Sequence, residues 1–347
     1  MYKSKTMIAV PPGYTIKEQI DSRGLKQKEF AERMELSEKH ISKLLNGEVL
    51  LTTDMALRLE MVLGISAKFW INLEAIYREK IAKIELENNL DEDEELLAKF
   101  PYKKMADLNW VKKTSSKIER VYNLRQFFEV NRLGLLLENK KINVLYRRVN
   151  NNEVSDYALM AWAQKAKLES RNIKTSPINI RGLIKYLPEF RKMTSKNPDI
   201  FCDDLIKMLA SKGIALVFLP HIGGSFLHGA TFYNGNKIVI GLTVRGKDAD
   251  KFWFSFFHEL GHIILGHINK DYDNEMENAA NEYAKETLIN TNDYISFISK
   301  NEFTEKAIIS FARKIDIDTG IVVGRLQKDG YIPYNMFNNL KTKYAIL

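Results

Sequence analysis

The chain is poor in sulfur chemistry: among its 347 residues there is one cysteine, Cys202. A disulfide within the chain and a cysteine-rich zinc module are both excluded by that count, and Cys202 is expected to be a buried thiol. No apolar run approaches membrane-spanning length, and the opening residues Met1-Tyr2-Lys3-Ser4-Lys5-Thr6 have no apolar signal core, so a cytoplasmic protein without membrane contact is expected. Neither sign of charge is scarce. The net charge of +8 within 28% charged residues is a modest basic excess, which favours a polyanionic partner without establishing one. With 45% hydrophobic residues the chain is long enough for two or three cores. Histidine is also rare, yet of six histidines three, His258, His262 and His267, fall within ten positions.

That cluster reads His258-Glu259-Leu260-Gly261-His262, the HExxH pattern. Histidines four apart leave the same face of a helix and can grip one metal ion, and the Glu between them points aside, free to take a proton from a metal-bound water. Trp253, Phe256, Phe257, Leu260 and Ile264 recur at helical spacing, so the motif is expected on a buried amphipathic helix. Catalytic zinc usually takes three protein ligands plus water. His267 fails as the third, because five residues past His262 it faces away on a continuous helix; it is expected in an outer or surface role after the helix end near Gly266. The better candidate is Glu277, on a second helical stretch whose Glu277, Ala280, Asn281, Ala284 and Leu288 share one face. Small alanines there let the two helices approach closely enough to bring the Glu277 carboxylate over the metal.

These residues resemble the ImmA/IrrE family of metallopeptidases, in which HExxH is followed by a helix of pattern E-x-E-A-N-x-F-A-x-x-L-L-M-P; Glu277, Ala280, Asn281, Ala284 and Leu288 match it. The resemblance implies Zn²⁺ held by His258, His262 and Glu277, with Glu259 as catalytic base. The chain departs from the pattern at Ala279, Tyr283, Thr287, Ile289 and Asn290, none of which is a proposed ligand.

At the other end, residues 15–63 read as four or five short helices with tight turns. Thr15-Ile16-Lys17-Glu18 has the form of a capping box, and Ser37 and Thr53 are plausible caps. Leu25–Met34 forms one helix and Ser37–Leu45 the next, a helix-turn-helix pattern in which Ile41, Leu44 and Leu45 make the buried stripe. The expected DNA-contacting set is Gln27, Ser37, Lys39, His40, Ser42, Lys43 and Asn46: lysines for phosphate or guanine, Ser and Asn for base edges, Gln27 for a phosphate at a helix N-terminus. The segment from Gln27 to Gly47 resembles the XRE (Cro/CI-type) DNA-binding domains, and its continuation from Ala56 to Glu74 looks like the HigA antitoxin branch; Gly320–Gly330 resembles the tail of HigA-type proteins fused to this peptidase domain.

Between the motifs the sequence carries less. Residues 66–86 read as one long helix with Phe69, Trp70, Leu73, Ile76 and Tyr77, whose apolar face suits either a second copy in a homodimer or its own domain. The acidic run Asp91–Glu95 suggests a solvated hinge or helix end, and Arg147-Arg148 surface charge. Strand signals appear at Ile214–Leu219, Phe226–Phe232 and Lys237–Leu242, with an Asn234-Gly235 turn, and an edge of that sheet suits an extended peptide. His228 is left outside the catalytic set as a lone strand histidine.

The expected fold is mainly α with a small β-sheet: an N-terminal all-α helix-turn-helix domain with its long helix (12–85), an acidic linker (86–105), a helical connector (106–210), a C-terminal α+β zincin-like metallopeptidase domain (211–300) and a helical tail (301–347). The expected function is a regulator of double-stranded operator DNA carrying a zinc endopeptidase. By the family resemblance its substrate is a repressor-like partner or its own linker near 86–105. The alternative is a HigA-type antitoxin that represses its own promoter and binds a toxin, with a non-catalytic C-terminal domain.

Overall fold

The computed structural model describes residues 2–4, 7–88, 91–138, 153–222, 229–243, 248–268, 270 and 273–344. The chain divides into two compact units, Met1–Glu95 and Leu96–Leu347.

The first unit opens with a short antiparallel pair, β1 (Tyr2–Lys3) and β2 (Ile8–Ala9), followed by α1 (Pro12–Ser22), α2 (Gln27–Arg33), α3 (Glu38–Leu45), α4 (Thr53–Leu63) and α5 (Ala67–Asn88). α1 starts at Pro12 rather than at a Thr15 cap, because prolines at a helix start already hold the helical φ and need no donor there. Thr15 is therefore inside the helix. Ser37 does cap α3, accepting from the His40 backbone N–H at 3.2 Å. The cap of α4 is Thr52, one residue ahead of Thr53, accepting from Met55 N–H. Ile16, Ile20, Phe30, Met34, Ile41, Leu44, Leu59 and Trp70 form the core, each large apolar side chain contributing about 1.5–3 kcal/mol by burial.

α1 crosses the end of α3 at backbone contact: a Cβ on Gly13 would lie 2.0 Å from the Leu45 carbonyl oxygen. Backbone cannot step aside as a flexible side chain would. Gly13→Ala is therefore expected to destabilise this unit by about 1–3 kcal/mol or more, despite alanine's better helix propensity. Hydrogen exchange of the α1 and α3 amides in the full chain checks it, and unchanged protection would count against the contact.

On α5 the apolar residues split between two faces. Trp70 is in the core, Tyr77, Ile81 and Ile84 pack with Ala9 of β2, and Phe69 and Ile76 point outward, 43% and 50% exposed. The Trp70–Tyr77 face thus belongs to its own unit.

The acidic run Asp91–Glu95 closes the first unit in α6 (Asp91–Leu97), whose last two residues, Leu96 and Leu97, begin the second. Acidic residues in a first helical turn suit the positive end of the helix dipole, so of the two expectations for the run, hinge or helix end, the second describes it. The second unit continues with α7 (Tyr102–Asp107), α8 (Lys117–Phe128), α9 (Leu135–Glu138), α10 (Glu153–Ser170), α11 (Ile180–Ile184), α12 (Leu187–Lys192) and α13 (Pro198–Ala210). Arg147, Arg148 and His228 lie outside the described residues. β3 (Ile214–Leu219), β4 (Gly229–Asn234) and β5 (Lys237–Thr243) form a sheet of order β3-β5-β4, with β3 parallel and β4 antiparallel to β5. The helices α14 (Ala249–Ile264), α15 (Asn274–Leu288), α16 (Thr291–Ile298), α17 (Glu305–Lys314) and α18 (Thr319–Lys328) complete it.

Both faces of the sheet are covered, which is why β3 reads as a continuous apolar run without alternation. Ile238, Ile240 and Leu242 join the core with Trp253, Phe256 and Phe257 of α14. On the other face Trp162 of α10 lies against Gly241, where any Cβ would sit 2.6 Å from the indole ring. The helices at 153–170 and 198–210 thus pack on the strands as part of the same unit. Residues after 300 are equally integral, since Ile308, Phe311, Val322 and Leu326 belong to that core. Cys202 is half-buried, its thiol pushed up to about 11, first by burial and then by Asp203 and Asp199, as expected for an unreactive cysteine.

Candidate metal centre and nucleic-acid interface

α14 buries Phe252, Trp253, Phe256, Phe257 and Leu260, and that stripe turns His258 and His262 toward α15. The helices meet at small residues: a Cβ on Gly261 would be 3.3 Å from the backbone of Ala280, and Ala280 and Ala284 are fully buried. This close crossing brings Glu277 to the histidines. Its Oε2 lies 3.3 Å from His258 Nε2 and its Oε1 3.3 Å from His262 Nε2, while the two Nε2 atoms are 3.0 Å apart. His258, His262 and Glu277 form a cluster able to hold a metal ion. Three donors each about 2.0–2.2 Å from a tetrahedral ion sit roughly 3.3–3.5 Å from one another, so the spacing fits zinc with little movement.

The electrostatics favour a cation. Burial opposes charge on His258, but the Glu277 hydrogen bond and the Glu259 and Glu277 charges outweigh it and raise the imidazole's pKa. Burial likewise opposes charge on Glu277, yet the hydrogen bonds from both histidines hold it well below the usual carboxylate range. Glu277 is thus an anion facing two imidazole nitrogens, and a bound cation would take the place of the protons they share with it.

Glu259, 4% exposed, stands apart from the three donors. The Thr231 hydroxyl on β4 donates to its Oε2 at 2.5 Å, and Gly229 makes room for the rest of the carboxylate, since a Cβ there would meet Oε1 at 2.7 Å. Neither β4 contact was legible in the sequence. On the outer side of the ligand rings, His258 Nδ1 lies 3.0 Å from Asn281 Oδ1, and His262 Nδ1 lies 3.2 Å from His267 Nδ1. Asn281 was detectable as a polar residue four after Glu277, on the same helix face.

In the first unit α3 buries Ile41 and Leu44, with Leu45 half-buried. Gln27, Ser37, Lys39, Lys43 and Asn46 are exposed, and His40 and Ser42 are partly so. Ser37 is occupied as the cap of α3, and His40 Nε2 is shielded without a hydrogen-bond partner. The candidate set therefore clusters around one short helix and the start of the helix before it.

A helix-turn-helix family model matches residues 16–70, and a peptidase-family model described as an IrrE N-terminal-like domain matches residues 216–312. Over 63 residues the chain is 40% identical to the uncharacterized HTH-type transcriptional regulator YddM of Escherichia coli strain K12, spanning 18% of this chain and 67% of that protein. Over 95 residues it is 35% identical to the uncharacterized HTH-type transcriptional regulator YbaQ of the same strain, spanning 27% and 80%. A crystal structure of a hypothetical E. coli protein aligns with 26% of this chain and 88% of that one at 34% identity, with a TM-score of 0.22. No described helix is long and apolar enough to cross a membrane. With α2 and α3 inside the matched span, and two regulators each covered over two thirds or more of their length, the chain belongs to the XRE-type helix-turn-helix transcriptional regulators, with an IrrE/ImmA-like peptidase domain at its C-terminal end.

Proposed function

We propose that this DNA-binding regulator carries a working zinc endopeptidase, and that its substrate is a separate, repressor-like protein rather than its own linker. The observation that carries the reading is the convergence of His258, His262 and Glu277 donors at 3.0–3.3 Å beside a buried carboxylate, Glu259, that is not one of them. Two imidazoles and a carboxylate leave a fourth position open, the donor set of catalytic rather than structural zinc. When bound, the zinc ion supplies Lewis-acid polarisation of a carbonyl and a more acidic water. Glu259 accepts the water proton at its carboxylate and returns it to the leaving amine, with Thr231 restricting its rotation.

β4 is an edge strand carrying both Gly229 and Thr231, so an extended peptide paired along it passes the base. The chain's own 86–105 segment is a poor occupant. Its described parts lie largely in α5, α6 and α7, with Leu97, Phe100 and Tyr102 buried, and a helix must unwind before it pairs with a strand. The test is elemental analysis of wild type and Glu277→Ala, with cleavage of a purified helix-turn-helix repressor in trans. Stoichiometric zinc lost in Glu277→Ala, together with cleavage of the repressor, supports the reading; a wild type that binds no zinc, or that cuts only itself, overturns it.

For the first unit the proposed contacts are Ser42 and Asn46 on base edges in the major groove, Lys39 and Lys43 on the phosphates that line it, His40 and Ser37 at its flank, and Gln27 on a further phosphate. The double variant Lys39→Ala/Lys43→Ala is expected to flatten the slope of log K against log salt by about 2, since each lost phosphate contact removes about one released counterion. Fluorescence anisotropy on an operator fragment across a salt series measures it; an unchanged slope would remove both lysines from the interface.

A further inference from the structure

We propose that His267 is a positioning residue that fixes which nitrogen of His262 faces the metal, an inference that rests on the zinc reading above. On a continuous helix His267 would point about 140° away from His262. The chain does not continue as a helix. Gly266 takes a left-handed φ of 69°, its N–H donates to the Ile263 carbonyl at 3.2 Å, and the His267 N–H donates to the His262 carbonyl at 2.9 Å. This paired closure is the Schellman turn, and it folds the chain back under its own last turn. His267 is brought beneath the ligand it follows, 8% exposed, with the two ring centroids 5.4 Å apart.

The contact joins Nδ1 to Nδ1 at 3.2 Å. A hydrogen bond between two imidazole nitrogens takes one proton, so one ring donates and the other accepts. The other nitrogen of His262 decides which. Its Nε2 lies 3.3 Å from Glu277 Oε1 and 3.0 Å from His258 Nε2, inside the donor cluster, where a metal ligand offers a lone pair. The proton of neutral His262 therefore sits on Nδ1 and donates to His267 Nδ1, whose own proton sits on Nε2. Metal-bound histidines usually donate to a carboxylate, a backbone carbonyl or water. Here the acceptor is the lone pair of a second imidazole, which orients the His262 ring from its outer side. Asn281 Oδ1 is placed to do the same for His258.

The test uses the full-length chain, stripped of metal and titrated with Zn²⁺ against a chromogenic chelator. His267→Phe keeps the ring volume and removes the acceptor; His267→Asn removes the ring but can present an oxygen close to where Nδ1 stood. Phe is expected to weaken zinc binding about 10–100-fold, as loss of an outer hydrogen-bond partner does, while Asn retains wild-type affinity within a few-fold. A purely space-filling role predicts the opposite order. Imidazole ¹⁵N spectra of the zinc-loaded wild type give an independent readout that needs no variant to fold: His262 protonated at Nδ1 and His267 at Nε2 support the assignment, and His267 protonated at Nδ1 overturns it. Zinc binding by wild type with full affinity in His267→Phe overturns this proposal alone, whereas a wild type that binds no zinc overturns it together with the metal reading.

Discussion

Lys341→Ala is expected to destabilise the C-terminal unit by about 3–5 kcal/mol, the cost of stranding a buried charge. Its partner Asp250 lies in the first turn of α14, eight residues before His258. The ammonium is 2.8 Å from Asp250 Oδ2, and the two side chains are 11% and 9% exposed. Asp250 has no easy alternative. Its Oδ1 is buried without a hydrogen-bond partner, and a Cβ on Gly324 of α18 would come within 2.4 Å of Oδ2, so protein encloses the carboxylate. The same C-terminal segment is anchored along the start of α14 by Ala249 N–H to the Thr342 carbonyl at 2.9 Å and by the Trp253 indole N–H to the Tyr344 hydroxyl at 2.8 Å. Urea denaturation of the full chain, followed in the C-terminal unit, measures the loss. A double variant, Lys341→Met with Asp250→Leu, should recover most of it, because removing both charges leaves nothing to desolvate. A loss below about 1 kcal/mol for Lys341→Ala would mean the pair behaves like a surface ion pair.

This pair shows where sequence reading stops. The HExxH helix was legible because its apolar residues recur at helical spacing and its histidines are rare. The Glu277 helix was legible because Ala280 and Ala284 mark a close approach, and the structure brings them against Gly261. The recognition-type helix was legible from Ser37, Ile41 and Leu44. The strands were found because buried β-rich runs end at Gly and Asn, with Gly235 at φ 63° turning β4 into β5. Contacts distant along the chain left no local trace. Lys341 and Asp250 are 91 residues apart, and Thr231 and Glu259 are 28 apart. For His267 the sequence left an outer role and a surface role open after the helix end near Gly266; the left-handed Gly266 ends the helix there, and the buried ring beside His262 is the outer of the two. The two faces of α5 were merged because Phe69 and Trp70, or Ile76 and Tyr77, are adjacent in sequence but about 100° apart around the helix.

Glu259→Gln is expected to lower the rate of peptide cleavage about 10²–10⁴-fold, the range for removing a general base, while leaving zinc content and stability near wild type. The substitution is nearly isosteric, and its amide oxygen can still accept from the Thr231 hydroxyl, so the packing of α14 against β4 is kept. The donors at His258, His262 and Glu277 are untouched, because Glu259 is not among them. What is lost is the capacity to take a proton: a carboxylate accepts one, a primary amide does not. The effect should fall on kcat with KM nearly unchanged, since a glutamine in the same place binds an extended substrate equally well. Zinc content by elemental analysis and initial rates of repressor cleavage, measured on the same preparations, separate the two roles. If zinc falls together with the rate, Glu259 acts in holding the metal; if zinc stays and cleavage continues at the wild-type rate, the proton acceptor is another group.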